Sequence, residues 1–157
     1  MDDRGSRARA HGALAALRLP EPFRLGDVVE AVEHERCTRI QIIEFPDIAA
    51  EDGLFGIWLN TDDLGDFILH VPTESELHRV QVILHELSHM ILGHDLSAGQ
   101  SSAAQLFPDI SEETVMRVLA RGHEDDALEH EAETLADLIA SSMRRSNQNS
   151  SFAKVFG

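Results

Sequence analysis

The sequence has no tyrosine, a single cysteine and few basic residues, and each shortage argues against a class of protein. Aromatic residues make up only 5% of the chain, so platforms that stack nucleic-acid bases are not expected. The 13 lysines and arginines stand against 28 acidic residues, and this net charge of −15 argues against binding nucleic acid or an anionic membrane. The lone Cys37 excludes an internal disulfide framework.

Long hydrophobic runs are missing as well. No apolar stretch approaches the roughly 18 residues that cross a bilayer, and the stretch 13–19 is too short and too interrupted for a signal peptide. We therefore expect a cytoplasmic protein. At 157 residues, the chain has the length of one domain. Polar, charged residues predict a disordered segment over 1–12, a single domain over 13–145 and a flexible tail over 146–157.

The spacing of the apolar residues predicts an α+β fold. Helices are expected over 13–17, 28–36, 76–92, 111–121 and 127–144, and strands over 39–45, 54–59 and 67–71. The last two strands are close enough in sequence to form a hairpin. The sequence therefore predicts a small antiparallel three-stranded sheet that packs on the helix over 76–92.

That helix contains the pattern H-E-x-x-H, formed by His85, Glu86 and His89. Residues i and i+4 lie about one turn apart on the same helix face, so both imidazoles can bind one zinc ion. Glu86 lies about 100° further around the helix, where its carboxylate can act as a general base without binding the metal. Apolar residues flank the motif on nearly every side, and paired histidines on an enclosed helix need polar partners.

A catalytic zinc site takes three protein ligands and keeps one position open, so a third ligand is needed. His94 lies one residue short of the spacing in the longer pattern H-E-x-x-H-x-x-G-x-x-H. The acidic stretch 129–137 is the better source, with Glu129, Glu131 and Glu133 near its start. Periodicity slightly favours Glu131, which borders the apolar face of this helix, but it leaves Glu129 and His94 open.

The sequence resembles the ImmA/IrrE family of small zinc metallopeptidases, and most closely its short actinobacterial-type, toxin-like branch. The resemblance rests on residues 82–94, which contain the H-E-x-x-H pattern, and on the acidic stretch 129–136. It implies a minimal gluzincin-like fold, with the third ligand on a helix that follows the motif helix. It assigns His85, His89 and Glu131 as zinc ligands and Glu86 as the general base.

These features predict a zinc-dependent endopeptidase that hydrolyses a peptide bond in a regulatory protein. The resemblance implies that this substrate is a helix-turn-helix repressor. Since tyrosine is absent, His78, His123 and His130 are the candidates for stabilising the oxyanion that forms during hydrolysis.

Two alternatives are a non-catalytic, zinc-containing interaction module of a toxin–antitoxin-like regulator pair and an acidic scaffold without metal. The intact Glu86 favours the enzyme, because a purely structural zinc site needs no base.

Overall fold

The computed structural model describes residues 3–46, 55–61, 64–94 and 126–156. The elements in these ranges are α1 (Asp3–Ala16), α2 (Leu25–Arg36), β1 (Ile40–Glu44), β2 (Gly56–Thr61), β3 (Gly65–His70), α3 (Glu76–Ile91) and α4 (Asp126–Phe156). The predicted α+β class is confirmed. The helix predicted over 111–121 and the candidate His123 lie outside the described residues. Within the described ranges, no helix combines the length and the apolar character needed to cross a membrane.

The sheet is mixed, whereas the sequence predicts an antiparallel one. Its strand order is β1-β3-β2, with β2 antiparallel and β1 parallel to β3. The hairpin between β2 and β3 forms as expected. The chain between β1 and β3 includes β2 itself, which makes it long enough for the crossover that parallel pairing requires. Strand spacing alone therefore did not reveal which edge β1 would join.

The core lies between the sheet and helices α2, α3 and α4. Its fully buried members include Val28, Val32, Ile68, Ile83, Leu84, Leu87, Leu135 and Ile139. Each buried aliphatic side chain of this size stabilises the fold by roughly 1.5–3 kcal/mol through the hydrophobic effect. This packing holds α3 between the sheet and α4, and so determines which side of α3 meets α4.

The described residues nearest to each end of the chain are helical, where the sequence predicts a disordered segment and a flexible tail. Helix α1 begins at Asp3, packs along α4 and buries Ser6 and Ala10. Helix α4 continues through the predicted tail, where Ser146 is buried and its hydroxyl accepts a hydrogen bond of 3.1 Å from the backbone N–H of Phe23. The polar composition of both segments suggested disorder. Their small polar residues nevertheless allow helices to pack closely, and this packing depends on tertiary structure that composition does not reveal.

Asp66 is a buried carboxylate that joins β3 to its neighbours. It is 1% exposed and accepts hydrogen bonds from Trp58 Nε1 at 2.8 Å, Asn60 Nδ2 at 2.8 Å and Thr38 Oγ1 at 2.6 Å. If the carboxylate were removed, Trp58 Nε1 and Asn60 Nδ2 would lose this acceptor, and Thr38 Oγ1 would keep only its 3.4 Å contact with the carbonyl of Arg39. An unsatisfied buried donor costs about 1–3 kcal/mol.

We therefore expect Asp66→Ala to lower the free energy of unfolding by roughly 3 kcal/mol or more. Chemical denaturation followed by circular dichroism measures this difference. Glu30→Ala is the matched control, because Glu30 is an exposed acid on α2 and its loss should change stability by no more than about 0.5 kcal/mol. Equal stability of the two variants would show that the hydrogen bonds of Asp66 do not stabilise the fold.

Candidate metal site

Helix α3 carries the H-E-x-x-H pattern on the side that meets α4. The helix begins after Ser75, whose hydroxyl accepts a hydrogen bond of 3.3 Å from the backbone N–H of His78. The rings of His85 and His89 lie one turn apart with their centroids separated by 4.9 Å. Their Nε2 atoms are 3.2 Å apart. Both imidazoles therefore direct the same nitrogen to one point beside α3.

Glu129, in the first turn of α4, joins the two histidines. Its Oε2 lies 3.1 Å from His85 Nε2, and its Oε1 lies 3.2 Å from His89 Nε2. One ligand atom from each of the three residues lies within 4.8 Å of the others, and all three residues are half-buried. We call this group, His85, His89 and Glu129, the triad. It is a candidate metal-binding site.

The donor set of the triad fits zinc. Two imidazole nitrogens and one glutamate oxygen form a known catalytic zinc set, and tetrahedral bonds of about 2.0–2.1 Å place neighbouring donors about 3.3 Å apart. The two Nε2 atoms are 3.2 Å apart, and each lies 3.1 or 3.2 Å from a different oxygen of Glu129, with one ligand atom from each residue within 4.8 Å of the others. Other divalent transition metals accept the same donors. The geometry therefore supports a metal site without identifying the metal.

The charges within the triad stabilise one another. Burial disfavours the imidazolium of His85, but the hydrogen bond with Glu129 and the nearby carboxylates outweigh this effect and raise the pKa of His85. Burial also disfavours the charged form of Glu129, yet its contacts with His85 and His89 hold its carboxyl pKa well below the usual range. Glu129 is therefore an ionised carboxylate, which is the form that binds a cation.

Glu131, the predicted third ligand, has other partners. Its Oε2 lies 3.2 Å from His94 Nε2, and its Oε1 pairs with the guanidinium of Arg9 in α1. Residues two apart on a helix point roughly 200° apart, so Glu129 and Glu131 cannot both face the histidines of α3. The structure thus brings Glu129 to the triad in place of Glu131. Periodicity missed this because Arg9 lies in a segment predicted to be disordered.

His94 folds back onto the end of α3. Gly93 adopts φ of 70°, and the backbone N–H of His94 then donates a hydrogen bond of 2.9 Å to the carbonyl of His89. The Nδ1 atoms of the two rings are 3.1 Å apart, and the His94 side chain is only 6% exposed. Burial and the neighbouring His89 lower the pKa of His94, although Glu131 opposes this shift. His94 therefore contacts the side of the His89 ring that is opposite to the triad.

Glu86 is buried next to the triad without belonging to it. The residue is 8% exposed, and its carboxylate accepts a hydrogen bond from the backbone N–H of Trp58 in β2. Burial raises the pKa of Glu86, and the adjacent His85 and His89 oppose this shift only in part. A carboxylate with a raised pKa holds a proton more readily than an exposed one, which suits a group that takes up and passes on a proton.

The histidines considered as oxyanion donors have other contacts. His78 packs edge-on against Phe55 with ring centroids 4.9 Å apart. His130 is exposed, and its Nε2 lies 3.7 Å from Asp3 Oδ1. Within the described part of the chain, the hydrogen bonds of the triad involve neither residue.

No family model, curated protein or solved structure matches this chain. The resemblance to the ImmA/IrrE family is thus a hypothesis that rests on the residues quoted for it. The candidate site rests on its own geometry.

Gly56 in β2 allows the sheet to approach α3 beside Glu86. A Cβ at this position would lie 2.6 Å from Val82 Cγ1 and 3.3 Å from Glu86 Oε1. We expect Gly56→Ala to lower the free energy of unfolding by about 1–3 kcal/mol, because overpacking forces well-packed neighbours to move. Gly26→Ala in α2 is the control, since a Cβ there meets nothing within 4 Å. Thermal unfolding compares the two, and equal melting temperatures would contradict this close approach.

Proposed function

We propose that this protein is a zinc-dependent endopeptidase that hydrolyses a peptide bond in a regulatory protein. The observation that carries the proposal is the position of Glu86. It is buried next to His85, outside the triad, and is held by the backbone N–H of Trp58. Burying a carboxylate is costly, and a metal site that only stabilises the fold has no use for a second, unbound acid beside its ligands.

In this proposal the triad of His85, His89 and Glu129 holds the zinc. When bound there, zinc supplies Lewis acidity that polarises a peptide carbonyl and lowers the pKa of water to about 7. Glu86 takes a proton from the attacking water on its carboxylate and then transfers it to the nitrogen of the leaving amine. The hydrogen bond from Trp58 keeps the carboxylate in one orientation during both transfers.

The order of the elements supports a gluzincin-like arrangement. A small sheet lies against α3, which carries H-E-x-x-H, and a later helix supplies the glutamate. This order is the one that the resemblance to the ImmA/IrrE family implies, although the glutamate at the triad is Glu129 where the resemblance assigns Glu131. We therefore propose membership of that family with this change of ligand.

The proposed substrate is a helix-turn-helix regulator. The resemblance implies this class, and the charge of the chain is compatible with it, because a net charge of −15 attracts a basic DNA-binding protein. Peptide-bond cleavage in such a regulator would inactivate it. The proposed partner is therefore a protein, with no direct contact between this chain and nucleic acid or membrane.

The test is whether this protein cleaves purified helix-turn-helix regulators that are encoded near its own gene. We expect the zinc-loaded protein to cut one of them at a defined bond, with new termini identified by mass spectrometry. Treatment with a chelator should stop cleavage, and added zinc should restore it. A zinc-loaded protein that forms a stable complex with a regulator but leaves it intact would reject the enzyme and support the non-catalytic interaction module.

A further inference from the structure

A chain of polar contacts runs from α1 to the triad. The guanidinium of Arg9 pairs with Glu131 Oε1, and Glu131 Oε2 lies 3.2 Å from His94 Nε2. His94 Nδ1 lies 3.1 Å from His89 Nδ1, and His89 Nε2 belongs to the triad. These contacts connect α1, α4 and the C-terminal end of α3. We call Arg9, Glu131, His94 and His89 the relay.

The chemistry of the end groups determines the direction of every hydrogen bond in the relay. An ionised glutamate only accepts, so His94 Nε2 must carry the proton and donate it to Glu131. In a neutral imidazole the other nitrogen is then an acceptor, so His94 Nδ1 accepts from His89 Nδ1. With Nδ1 donating to His94, His89 can bind a cation through the lone pair of Nε2, where the cation replaces the hydrogen that Nε2 would otherwise donate to Glu129 Oε1, 3.2 Å away. The tautomer with its proton on Nδ1 is the one that binds a metal through Nε2.

We propose that Glu131 and His94 are positioning residues that hold His89 in the tautomer and ring orientation needed to bind the metal. This inference rests on the metal site of the proposed function. It adds to that site the residue that accepts a hydrogen bond from the second ring nitrogen of His89. Metal-binding histidines usually donate their other N–H to such a partner, and loss of the partner typically weakens metal binding by about 10- to 100-fold.

The local structure places His94 beside His89. Gly93, in its left-handed conformation, ends α3 and turns His94 back over the last turn of the helix. The His94 side chain is 6% exposed and occupies the space between His89 and Glu131. Glu131 itself is tied to Arg9, so its carboxylate keeps a fixed position. The packing of α1 on α4 is therefore connected to the proposed metal site through Arg9, Glu131 and His94.

Zinc affinity of the full-length protein, measured by competition with a chelating dye, tests the proposal. We expect Glu131→Ala and His94→Ala each to bind zinc about 10- to 100-fold more weakly than the wild type. Glu133→Ala is the matched control, because it removes the same charge from an exposed position on the same helix. Unchanged affinity in Glu131→Ala and His94→Ala would overturn the relay.

Two further variants separate positioning from a general structural effect. His94→Asn keeps an acceptor near the position of Nδ1, so it should recover part of the affinity that His94→Ala loses. Glu131 acts only through His94 in this proposal, so the double variant Glu131→Ala/His94→Ala should bind zinc no more weakly than His94→Ala alone. Fully additive losses, or no recovery in His94→Asn, would contradict the relay.

Nitrogen NMR of the histidine rings provides a readout that is independent of catalysis. In protein loaded with ¹¹³Cd, we expect metal coupling to Nε2 of His85 and His89, a proton on His89 Nδ1 and no coupling to His94. Coupling to His94 would make it a ligand and overturn its positioning function. Failure of the wild type to bind metal would reject the proposed function, whereas normal binding with unaffected variants would reject only the relay.

Discussion

Replacing Glu86 with glutamine is expected to slow peptide-bond hydrolysis by about 10²–10⁴-fold, the contribution typical of a general base. Glutamine matches the shape of the buried glutamate, and its amide oxygen can still accept the hydrogen bond from the backbone N–H of Trp58. It cannot take up a proton at neutral pH. The fold and the triad should therefore survive while proton transfer fails. Initial rates of regulator cleavage, together with the zinc content of each sample, measure this effect.

The control for this variant is Glu76→Gln. Glu76 lies on the same helix, but its side chain is exposed and pairs with Arg79 at 3.2 Å. The loss of one negative charge from α3 at this position should leave the cleavage rate unchanged. Equal cleavage by wild type and Glu86→Gln, at equal zinc content, would reject Glu86 as the base.

Removal of Glu129 is expected to have the largest effect on metal binding. Glu129→Ala should weaken zinc binding by more than about 100-fold, because the loss of a direct ligand exceeds the effect of losing an outer partner. Its oxygens lie 3.1 Å from His85 Nε2 and 3.2 Å from His89 Nε2, closer than any other carboxylate contact that the described residues make with these two nitrogens. Isothermal titration with zinc, with a competing chelator for the tight binders, measures the difference.

Three glutamates on one helix provide an internal ranking for this prediction. We expect the loss of zinc affinity to be greatest for Glu129→Ala, intermediate for Glu131→Ala and smallest for Glu133→Ala, whose charge acts on His85 only at a distance. The three variants remove the same side chain from every second position between 129 and 133 of α4. A greater loss in Glu131→Ala than in Glu129→Ala would restore Glu131 as the third ligand.

The parts of the site that were predictable from the sequence are those that depend on local geometry. His85 and His89 share a helix face because residues i and i+4 always do, and Glu86 lies beside them for the same reason. The apolar spacing predicts a helix over 76–92, and α3 forms over Glu76–Ile91. The α+β class follows from the same kind of pattern, applied to strands and helices in turn.

The choice of the third member of the triad depends on packing, and the pattern of α4 did not reveal it. Glu129 and Glu131 both lie at the edge of the apolar face, and the choice between them depends on which elements cover that face. Helix α1 covers the Glu131 side through Arg9, and α3 meets the Glu129 side. The parallel pairing of β1 with β3 was not predicted for a related reason. It depends on the path of the chain between the strands, which strand spacing does not reveal.

We propose above all that His85, His89 and Glu129 together hold one metal ion. Anomalous X-ray diffraction at the zinc edge, from crystals grown with zinc, tests this most directly. We expect one strong peak within bonding distance of both Nε2 atoms and of a Glu129 oxygen, with His94 and Glu131 outside bonding distance. A peak bound to Glu131 or His94, or no peak beside α3, would contradict the account.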